Sequence, residues 1–407
     1  MKPRDYQIEL SDKASKLLRD HKFTVLSMEV RTGKTITALL TIKNFGAKNV
    51  LFLTKKKAIS SIEADYQYFA QDFNMIVKNY ESLHKVEWDF DLIVLDESHT
   101  LSTFPKPWLK YKNIKKRFGH LPMILLTGTI TTESFSQYFH QIHVSHNTVW
   151  KNYKNFYAWA KDFVKIGQIK TSYGWAADYS KADYDKIMRD VSHYILTFTQ
   201  KEAWFTTSVE EKILYVEMRK STYDLIKRLQ KDKVIEWTKE EILAETMVKE
   251  QQKVHQMFSW TVKFESWNTM ILDDSKAQFI KKHFKGKKIG IYYNFKAEKD
   301  LLFKVFGKQL TDDLHVFNNT DKNIALQIVS WREGISLKEA DYLVFFNIAF
   351  SALSYWQARD RLTTMDRKFN TIYWIFARWW LEDKIYKAVL KKKDFTSRLY
   401  SNIITLW

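Results

Sequence analysis

Cysteine is absent from the 407 residues, and this absence excludes disulfide bonds and zinc sites built on thiolates. Long apolar runs are absent too: no stretch approaches 18 uncharged apolar residues, so no membrane-spanning helix is expected. The opening segment, MKPRDYQIEL, lacks the apolar core of a secretory signal. These absences together predict a cytoplasmic protein.

Glycine is scarce, with 10 residues among 407 against a usual share of about 7%, whereas tryptophan occurs 15 times. Several tryptophans stand where loops are predicted, and these are Trp237, Trp260, Trp267, Trp331, Trp379 and Trp380. We hypothesise that some of them occupy former glycine positions, through altered decoding of one stop codon. Natural drift in the sequence is the alternative.

Basic residues outnumber acidic ones, with 65 Lys and Arg against 47 Asp and Glu and a net charge of +18. This excess favours a polyanionic partner, most simply nucleic acid. A generally basic protein without such a partner is the alternative. The length predicts two or three domains, and a hydrophobic fraction of 45% is enough for their cores.

Residues 28–35 read MEVRTGKT, between an apolar stretch and a helix-like one. A phosphate-binding loop needs this strand–loop–helix context, because the start of a helix offers free N–H groups and a positive dipole end. Gly33 lets the backbone approach a phosphate closely. Lys34 would reach the β- and γ-phosphates of ATP, and the Thr35 hydroxyl would bind Mg²⁺.

Residues 92–99 read LIVLDESH, in which a short apolar, β-branched run is followed by two carboxylates. The run is typical of a buried parallel strand, and ligands bind at the carboxyl ends of such strands. Asp96 would hold Mg²⁺, and Glu97 would polarise the attacking water. Together with the phosphate loop, this segment predicts a nucleotide hydrolase.

Strand-like and helix-like segments alternate in two blocks, which predicts an α/β protein with parallel sheets. The first block ends near residue 145, with strands predicted at residues 24–27, 49–54, 75–78, 92–95 and 123–126. The second begins near residue 273, with strands predicted at residues 288–293, 314–317, 324–329, 342–346 and 371–376. Between them we predict helices at residues 221–232 and 239–258 and a strand at 212–218. The predicted domains are 1–145, a helix-rich insert at 146–268, and 269–407.

In this order the motifs resemble those of superfamily-two helicases and translocases, most of all the Swi/Snf-like branch and its compact phage versions. The resemblance implies two RecA-like lobes, with ATP bound between residues 33–35 and Arg361. It implies that Gln7, in the segment RDYQ, reads the adenine edge, and that the main chain of the phosphate loop up to Thr32 cradles the phosphates. Arg31 would contact phosphate, or else lie on the surface. Met28 departs from the family pattern, which has glycine there.

The resemblance also assigns residues to nucleic acid and to coupling between nucleotide and nucleic acid. It implies that nucleic acid is held by Thr54, Lys55, Asn294, Phe295, Ser330 and Arg332. It implies that coupling passes through His99, Thr127, Thr129, Glu333 and Gly334.

The segment YWQARDR at residues 355–361 resembles the arginine-finger motif of the family. Gln357 would contact the nucleotide, and the Arg361 guanidinium would stabilise the charge of the phosphoryl-transfer transition state. The family's second arginine is Thr364 here, so Arg359 or Arg367 is an alternative finger.

The resemblance therefore implies an ATP- and Mg²⁺-dependent DNA helicase or translocase, acting as a monomer on single-stranded or duplex DNA without a membrane partner. If the gene belongs to a phage, the protein would work in the host cytoplasm. Two alternatives stay open: an RNA-dependent helicase, and a degenerate ATPase that serves as a DNA-binding module.

Overall fold

The computed structural model describes residues 2–69, 72–87, 89–128, 130–131, 134–171, 174–203, 208–237, 240–328, 337–348, 350, 369–378 and 381–390. The chain divides into two compact units, Met1–Phe205 and Thr206–Trp407. We call them the first and the second unit.

The first unit alternates strands and helices through most of its length. Its elements are α1 (Asp5–His21), β1 (Phe23–Met28), α2 (Lys34–Phe45), β2 (Asn49–Thr54), α3 (Ile59–Phe69), β3 (Asn74–Asn79), β4 (Leu92–Leu95), α4 (Leu109–Phe118), β5 (Met123–Thr127), α5 (Tyr138–His143), α6 (Phe156–Phe163), β6 (Gly167–Thr171), β7 (Gly174–Asp178), α7 (Tyr184–Val191) and β8 (Ile195–Phe198). Six strands form one parallel sheet in the order β3-β2-β4-β5-β1-β8.

Both faces of this sheet are covered. Successive side chains of a strand point to opposite faces. In β4, Ile93 and Leu95 join one buried cluster with residues of α4 to α7, whereas Leu92 and Val94 join another with residues of α1 to α3. The continuous apolar run that predicted a buried strand is explained by this two-sided burial.

The second unit contains a similar arrangement. Its elements are β9 (Ser208–Val216), α8 (Lys220–Asp232), β10 (Val234–Trp237), β11 (Glu240–Leu243), α9 (Met247–Phe258), β12 (Thr261–Lys263), β13 (Thr269–Ile271), α10 (Ser275–His283), β14 (Ile289–Tyr293), α11 (Lys296–Phe306), β15 (Leu310–Thr311), α12 (Leu314–Asn319), β16 (Asn323–Gln327), β17 (Tyr342–Phe345), β18 (Phe369–Ala377) and, closing the described part, α13 (Leu381–Leu390). Its parallel sheet has the order β15-β16-β14-β17-β18-β9. The two six-stranded parallel sheets confirm the predicted α/β class with two RecA-like lobes.

The sequence prediction was wrong at two elements of the second unit. Residues 314–317 form the start of helix α12 and not a strand, because the Asp313 carboxylate caps the helix by accepting a hydrogen bond of 2.9 Å from the Val316 N–H. The helix predicted from residue 239 begins only at Met247, because β11 pairs with β10 in an antiparallel hairpin before it.

Residues 146–268, which we predicted to be one insert, supply strands to both sheets. Strand β8 pairs with β1 at the edge of the first sheet, and β9 pairs with β18 along nine residues of the second. The boundary between the two units, at Phe205–Thr206, falls inside this range. In the described part of the chain, no helix is long and apolar enough to cross a membrane.

Two of the tryptophans adopt a backbone conformation that favours glycine. Trp260 has φ 61° and Trp267 has φ 75°. A bulky residue at positive φ is a conformational outlier, because its Cβ crowds the following carbonyl. Trp237, by contrast, is the last residue of strand β10, where it pairs with Glu240 of β11. The backbone at Trp260 and Trp267 supports the hypothesis that glycine once stood there.

Substitution of Trp267, whose side chain is 78% exposed, tests this conformation directly. We expect Trp267→Gly to be more stable than Trp267→Ala by about 1 kcal/mol, because only glycine accepts a positive φ without strain. At Trp237 the order reverses, since glycine inside a strand is less favourable than alanine by about 0.5–1 kcal/mol. Urea unfolding of the four variants measures both differences. Equal stability of the Gly and Ala variants at residue 267 would show that the positive φ is not maintained in solution.

The gene offers a second, independent test of the same hypothesis. If the tryptophans replaced glycine through altered decoding, the codons at Trp260, Trp267, Trp331, Trp379 and Trp380 are the stop codon in question. Ordinary tryptophan codons at these positions would reject that origin and leave drift.

Candidate nucleotide-binding site

Three loops of the first unit meet at one edge of its sheet. Strands β4, β5 and β1 are neighbours and parallel, so the segments that follow their carboxyl ends lie side by side. These segments are the phosphate loop after β1, the DESH segment after β4, and Thr127-Gly128 after β5. Ligands of open α/β sheets bind at this edge.

The phosphate loop connects β1 to α2 through residues 29–33, and α2 begins at Lys34. The Lys34 Nζ donates hydrogen bonds of 2.9 Å to the Met28 carbonyl and 3.3 Å to the Glu29 carbonyl. A Cβ placed on Gly128 would lie 3.7 Å from Lys34 Nζ, so the loop after β5 adjoins the same ammonium group. Lys34 is therefore held at the amino terminus of α2, a position from which its ammonium group can bind an anion.

Gly33 is required by two features of the loop. Its φ of 83° lies in the left-handed region. A Cβ on this residue would also lie 1.9 Å from the Gln7 Nε2 atom. The buried Gln7 amide donates to the Thr32 carbonyl at 3.4 Å, and its Oε1 accepts from the Arg4 N–H at 2.9 Å. Gln7 therefore contacts the loop directly, and its reading of adenine stays a prediction.

Met28, the departure from the family pattern, does not obstruct the loop. It is the last residue of β1, and its side chain is fully buried among Leu26, Ala38 and the other residues on that face of the sheet. Only its carbonyl faces the site, where it accepts from Lys34. Arg31 has φ 63°, and its contact with phosphate also stays a prediction.

The Asp96 carboxylate is fixed by its neighbours. The Thr54 hydroxyl at the end of β2 donates to it at 2.7 Å, and the Tyr80 hydroxyl donates to the Asp96 carbonyl at 2.5 Å. Burial raises the pKa of Asp96 to about 7, helped by the nearby Glu97 charge and opposed by Thr54 and Lys34. Thr54 itself is fully buried. The Thr54 side chain, predicted to hold nucleic acid, thus contacts the carboxylate predicted to bind the metal, and its contact with nucleic acid stays a prediction.

These groups fit a magnesium ion. A buried carboxylate whose charged form is disfavoured by burial gains from a neighbouring cation. Within the described residues no group of three or more His, Cys, Asp or Glu forms a metal cluster. In nucleotide sites, one carboxylate, one hydroxyl and the phosphates supply the oxygens that bind Mg²⁺. Asp96 and Thr35 would be the protein ligands.

Glu97, His99 and Thr127 form a short chain of contacts, in which both outer side chains lie against the same His99 nitrogen, Nδ1. Glu97 has φ 51°, a conformation that non-glycine residues retain mainly at functional sites. Its carboxylate lies 3.2 Å from His99 Nδ1, which lies 3.4 Å from the Thr127 hydroxyl. The geometry brings together two of the predicted coupling residues, His99 and Thr127, with the predicted base.

The structure adds a second connection that the sequence did not indicate. The Ser98 hydroxyl donates to the Gln141 Oε1 at 3.0 Å, and the Gln141 amide donates to the Ile130 carbonyl at 2.7 Å. All three side chains are buried. Gln141 therefore connects the segment after β4, at Ser98, to the segment after β5, at Ile130.

The phosphate loop is also anchored by residues that follow β8. The Gln200 N–H donates to the Glu29 carboxylate at 2.7 Å, and the Gln200 amide donates to the Val30 carbonyl at 3.0 Å. The ring of Phe198 stacks on that of Tyr6 at 4.4 Å between centroids. The loop is thus held from a segment about 170 residues later in the chain, which no local motif indicates.

Gln200→Ala is expected to weaken the binding of MgATP by roughly 2- to 10-fold, because it removes one hydrogen bond worth about 0.5–1.5 kcal/mol from the phosphate loop. Titration with a fluorescent ATP analogue measures the change. Gln168→Ala is the matched control, since Gln168 is exposed on β6. Equal affinity of the two variants would mean that Gln200 does not position the loop.

Two of the predicted nucleic-acid residues of the second unit, Asn294 and Phe295, are held by a buried carboxylate. Glu298, in the first turn of α11, accepts hydrogen bonds from the Asn294 N–H at 2.6 Å and the Phe295 N–H at 3.0 Å. The side chains of Asn294 and Phe295 are partly exposed at the carboxyl end of β14. Their contact with nucleic acid, like that of Lys55 beyond β2, stays a prediction.

The remaining predicted site residues lie outside the described residues, and their roles stay predictions. They are Thr129, Ser330, Arg332, Glu333, Gly334, Gln357 and Arg361, together with the alternative fingers Arg359 and Arg367.

The sequence model of the family described as "Type III restriction enzyme, res subunit" matches residues 1–71, the segment from α1 through the phosphate loop to α3. The match indicates a superfamily-two helicase-like domain, of a kind that generally uses ATP with Mg²⁺ and acts on nucleic acid. No curated protein matches the chain.

Proposed function

We propose that this protein is a DNA helicase or translocase of the Swi/Snf-like branch, which couples ATP hydrolysis to movement on DNA. The observation that carries the proposal is the meeting of Lys34, Asp96 and Glu97 at one sheet edge, beside the Glu97–His99–Thr127 chain. A chain of this kind gives the nucleotide site a route by which the γ-phosphate can act on the loop after β5.

The residues have separate parts in hydrolysis. Lys34 and the N–H groups of the phosphate loop bind the phosphates and neutralise their charge. Asp96 and Thr35 would hold a magnesium ion, which would supply polarisation of the phosphoryl oxygens. Glu97 orients the attacking water and accepts its proton. His99 and Thr127 rearrange their hydrogen bonds when the γ-phosphate leaves.

The net charge of +18 and the helicase-like match at residues 1–71 support a nucleic-acid substrate. The resemblance favours DNA over RNA, the cytoplasm as the place of action, and a monomer as the working form. A binding module without turnover is less well supported, because Met28 leaves the phosphate loop open and Lys34 is seated in it.

Phosphate release, measured alone and with single-stranded DNA, duplex DNA and RNA, tests the proposal. We expect ATPase activity that DNA stimulates more strongly than RNA. ATP-dependent displacement of streptavidin from a biotinylated DNA end then tests movement. Stimulation by RNA alone would favour the RNA helicase, and DNA binding without hydrolysis would favour the binding module.

A further inference from the structure

A concave surface rich in lysine lies at the amino-terminal edge of the second sheet. It encloses about 800 Å³ between the end of α10, the start of β14 and the loops that precede β16 and β17. Its lining contains Lys281, Lys282, Lys285, Lys287, Lys288, Lys308 and Lys322, with two acidic residues, Asp321 and Asp341. We call this surface the lysine groove.

In the part of the chain that the structure describes, most of these lysine side chains form no ion pair. Among the described residues, no salt bridge or hydrogen bond is formed by the side chains of Lys282, Lys285, Lys287, Lys308 or Lys322. The other two are engaged: the Lys281 Nζ donates to the Val305 carbonyl at 2.7 Å, and the Lys288 Nζ lies 4.5 Å from the centre of the Phe317 ring. Positive charges gathered in a concave surface raise the local potential, so they attract an anionic partner.

The end of a helix explains only part of the cluster. Lys281 and Lys282 lie in the last turn of α10, where cations favour the negative end of the helix dipole. Lys287 lies four residues beyond the end of α10, where the dipole interaction has fallen off, and Lys308 lies in the short 3-10 turn Gly307–Gln309 after α11. Seven of the 17 residues that line the groove are lysines, whereas a small-molecule pocket has only a few polar or charged groups. Several ammonium groups along one groove suit a chain of phosphates.

We propose that the lysine groove binds the phosphate backbone of nucleic acid, as a second contact beyond the function proposed above. The predicted contacts at Asn294 and Phe295 follow the carboxyl end of β14, whereas the groove adjoins its amino end. Five residues of strand separate the two places by roughly 16 Å. A duplex or strand that reaches both would be held at two edges of one sheet.

A triple variant tests the groove: Lys282→Ala, Lys285→Ala and Lys287→Ala together. Its matched control is Lys220→Ala, Lys227→Ala and Lys231→Ala, which removes three exposed lysines of α8 in the same unit and changes the net charge equally. The dissociation constant for a 30-bp duplex and a 30-nucleotide single strand is measured from 50 to 300 mM NaCl. Thermal unfolding verifies that all proteins fold equally.

We expect the groove variant to bind nucleic acid at 0.1 M salt at least about tenfold more weakly than the wild type, because it loses phosphate contacts. Each lost contact should reduce the magnitude of the slope of log K against log salt concentration by about 0.9 on the duplex and about 0.7 on the single strand. The control should keep the wild-type slope. A lowered slope on either substrate supports the groove and tells which form it binds. Equal slopes for groove variant and control overturn the groove while the proposed function stands. A wild-type protein that binds neither substrate would overturn both.

Discussion

Replacement of Glu97 by glutamine is expected to lower kcat for ATP hydrolysis by about 10²–10⁴-fold, the usual contribution of a general base. The carboxylate is 19% exposed, follows β4 directly and lies beside the predicted metal ligand Asp96. Glutamine keeps the size of the side chain but cannot accept a proton from water. Binding of ATP and DNA should therefore persist.

Single-turnover hydrolysis with saturating DNA measures the chemical step, and DNA binding is measured on the same samples. Glu81→Gln is the matched control, because Glu81 is 60% exposed and pairs with Lys110 at 2.5 Å. Its kcat should equal that of the wild type. If Glu97→Gln hydrolyses ATP at the normal rate, another group activates the water.

Lys34→Ala should also abolish turnover while sparing DNA binding, since it removes the ammonium group from the phosphate loop.

Replacement of Lys276 by methionine is expected to destabilise the second unit by about 3–5 kcal/mol, the usual result of breaking a buried ion pair. Lys276 is fully buried, and its Nζ donates to the Glu382 carboxylate at 3.1 Å. It also lies 4.7 Å from the centre of the Trp260 ring. Burial raises the pKa of Glu382 to about 7, and the Lys276 charge opposes that rise. Without the cation, Glu382 is left buried beside Glu298.

Lys299→Met is the matched control, because the Lys299–Asp312 pair spans 2.6 Å with side chains 39% and 52% exposed. Exposed pairs contribute about 0–1 kcal/mol. Urea unfolding of both variants gives the comparison. The double variant Lys276→Met with Glu382→Leu should lose less than the sum of its single changes, since no unpaired charge remains at that position. Similar midpoints for Lys276→Met and Lys299→Met would mean that the buried pair contributes little.

The site residues that could be predicted from the sequence are those that lie within a few residues of a recognisable strand. Lys34 and Asp96 each follow an apolar strand within a few residues, and parallel pairing of β1, β5 and β4 brings their ends together. The same reasoning predicted both sheets, because strands buried on two faces leave continuous apolar runs. The prediction failed at residues 314–317, because a short apolar run is compatible with either a strand or a helix. Asp313 was the available sign of a helix start.

The parts that were missed depend on partners far apart in the chain. Gln141 and Gln200 belong to no motif, and their hydrogen bonds join residues 43 and 171 positions apart. Thr54 was predicted to contact nucleic acid. From the sequence alone, a hydroxyl at the end of a strand can equally well face nucleic acid or the nucleotide site. Only the placement of β2 beside β4 shows that it faces Asp96.

The parallel pairing of β9 with β18 has a consequence for synthesis of the protein on the ribosome. Strand β9 ends at Val216 and its partner begins at Phe369, roughly 150 residues later. At about 5–20 residues per second, that interval lasts on the order of 10–30 s. The first sheet is complete once β8 has emerged, whereas β9 must wait for its partner strand in the carboxyl-terminal part of the chain. Premature termination between these strands would therefore yield a folded first unit carrying an unpaired, aggregation-prone β9.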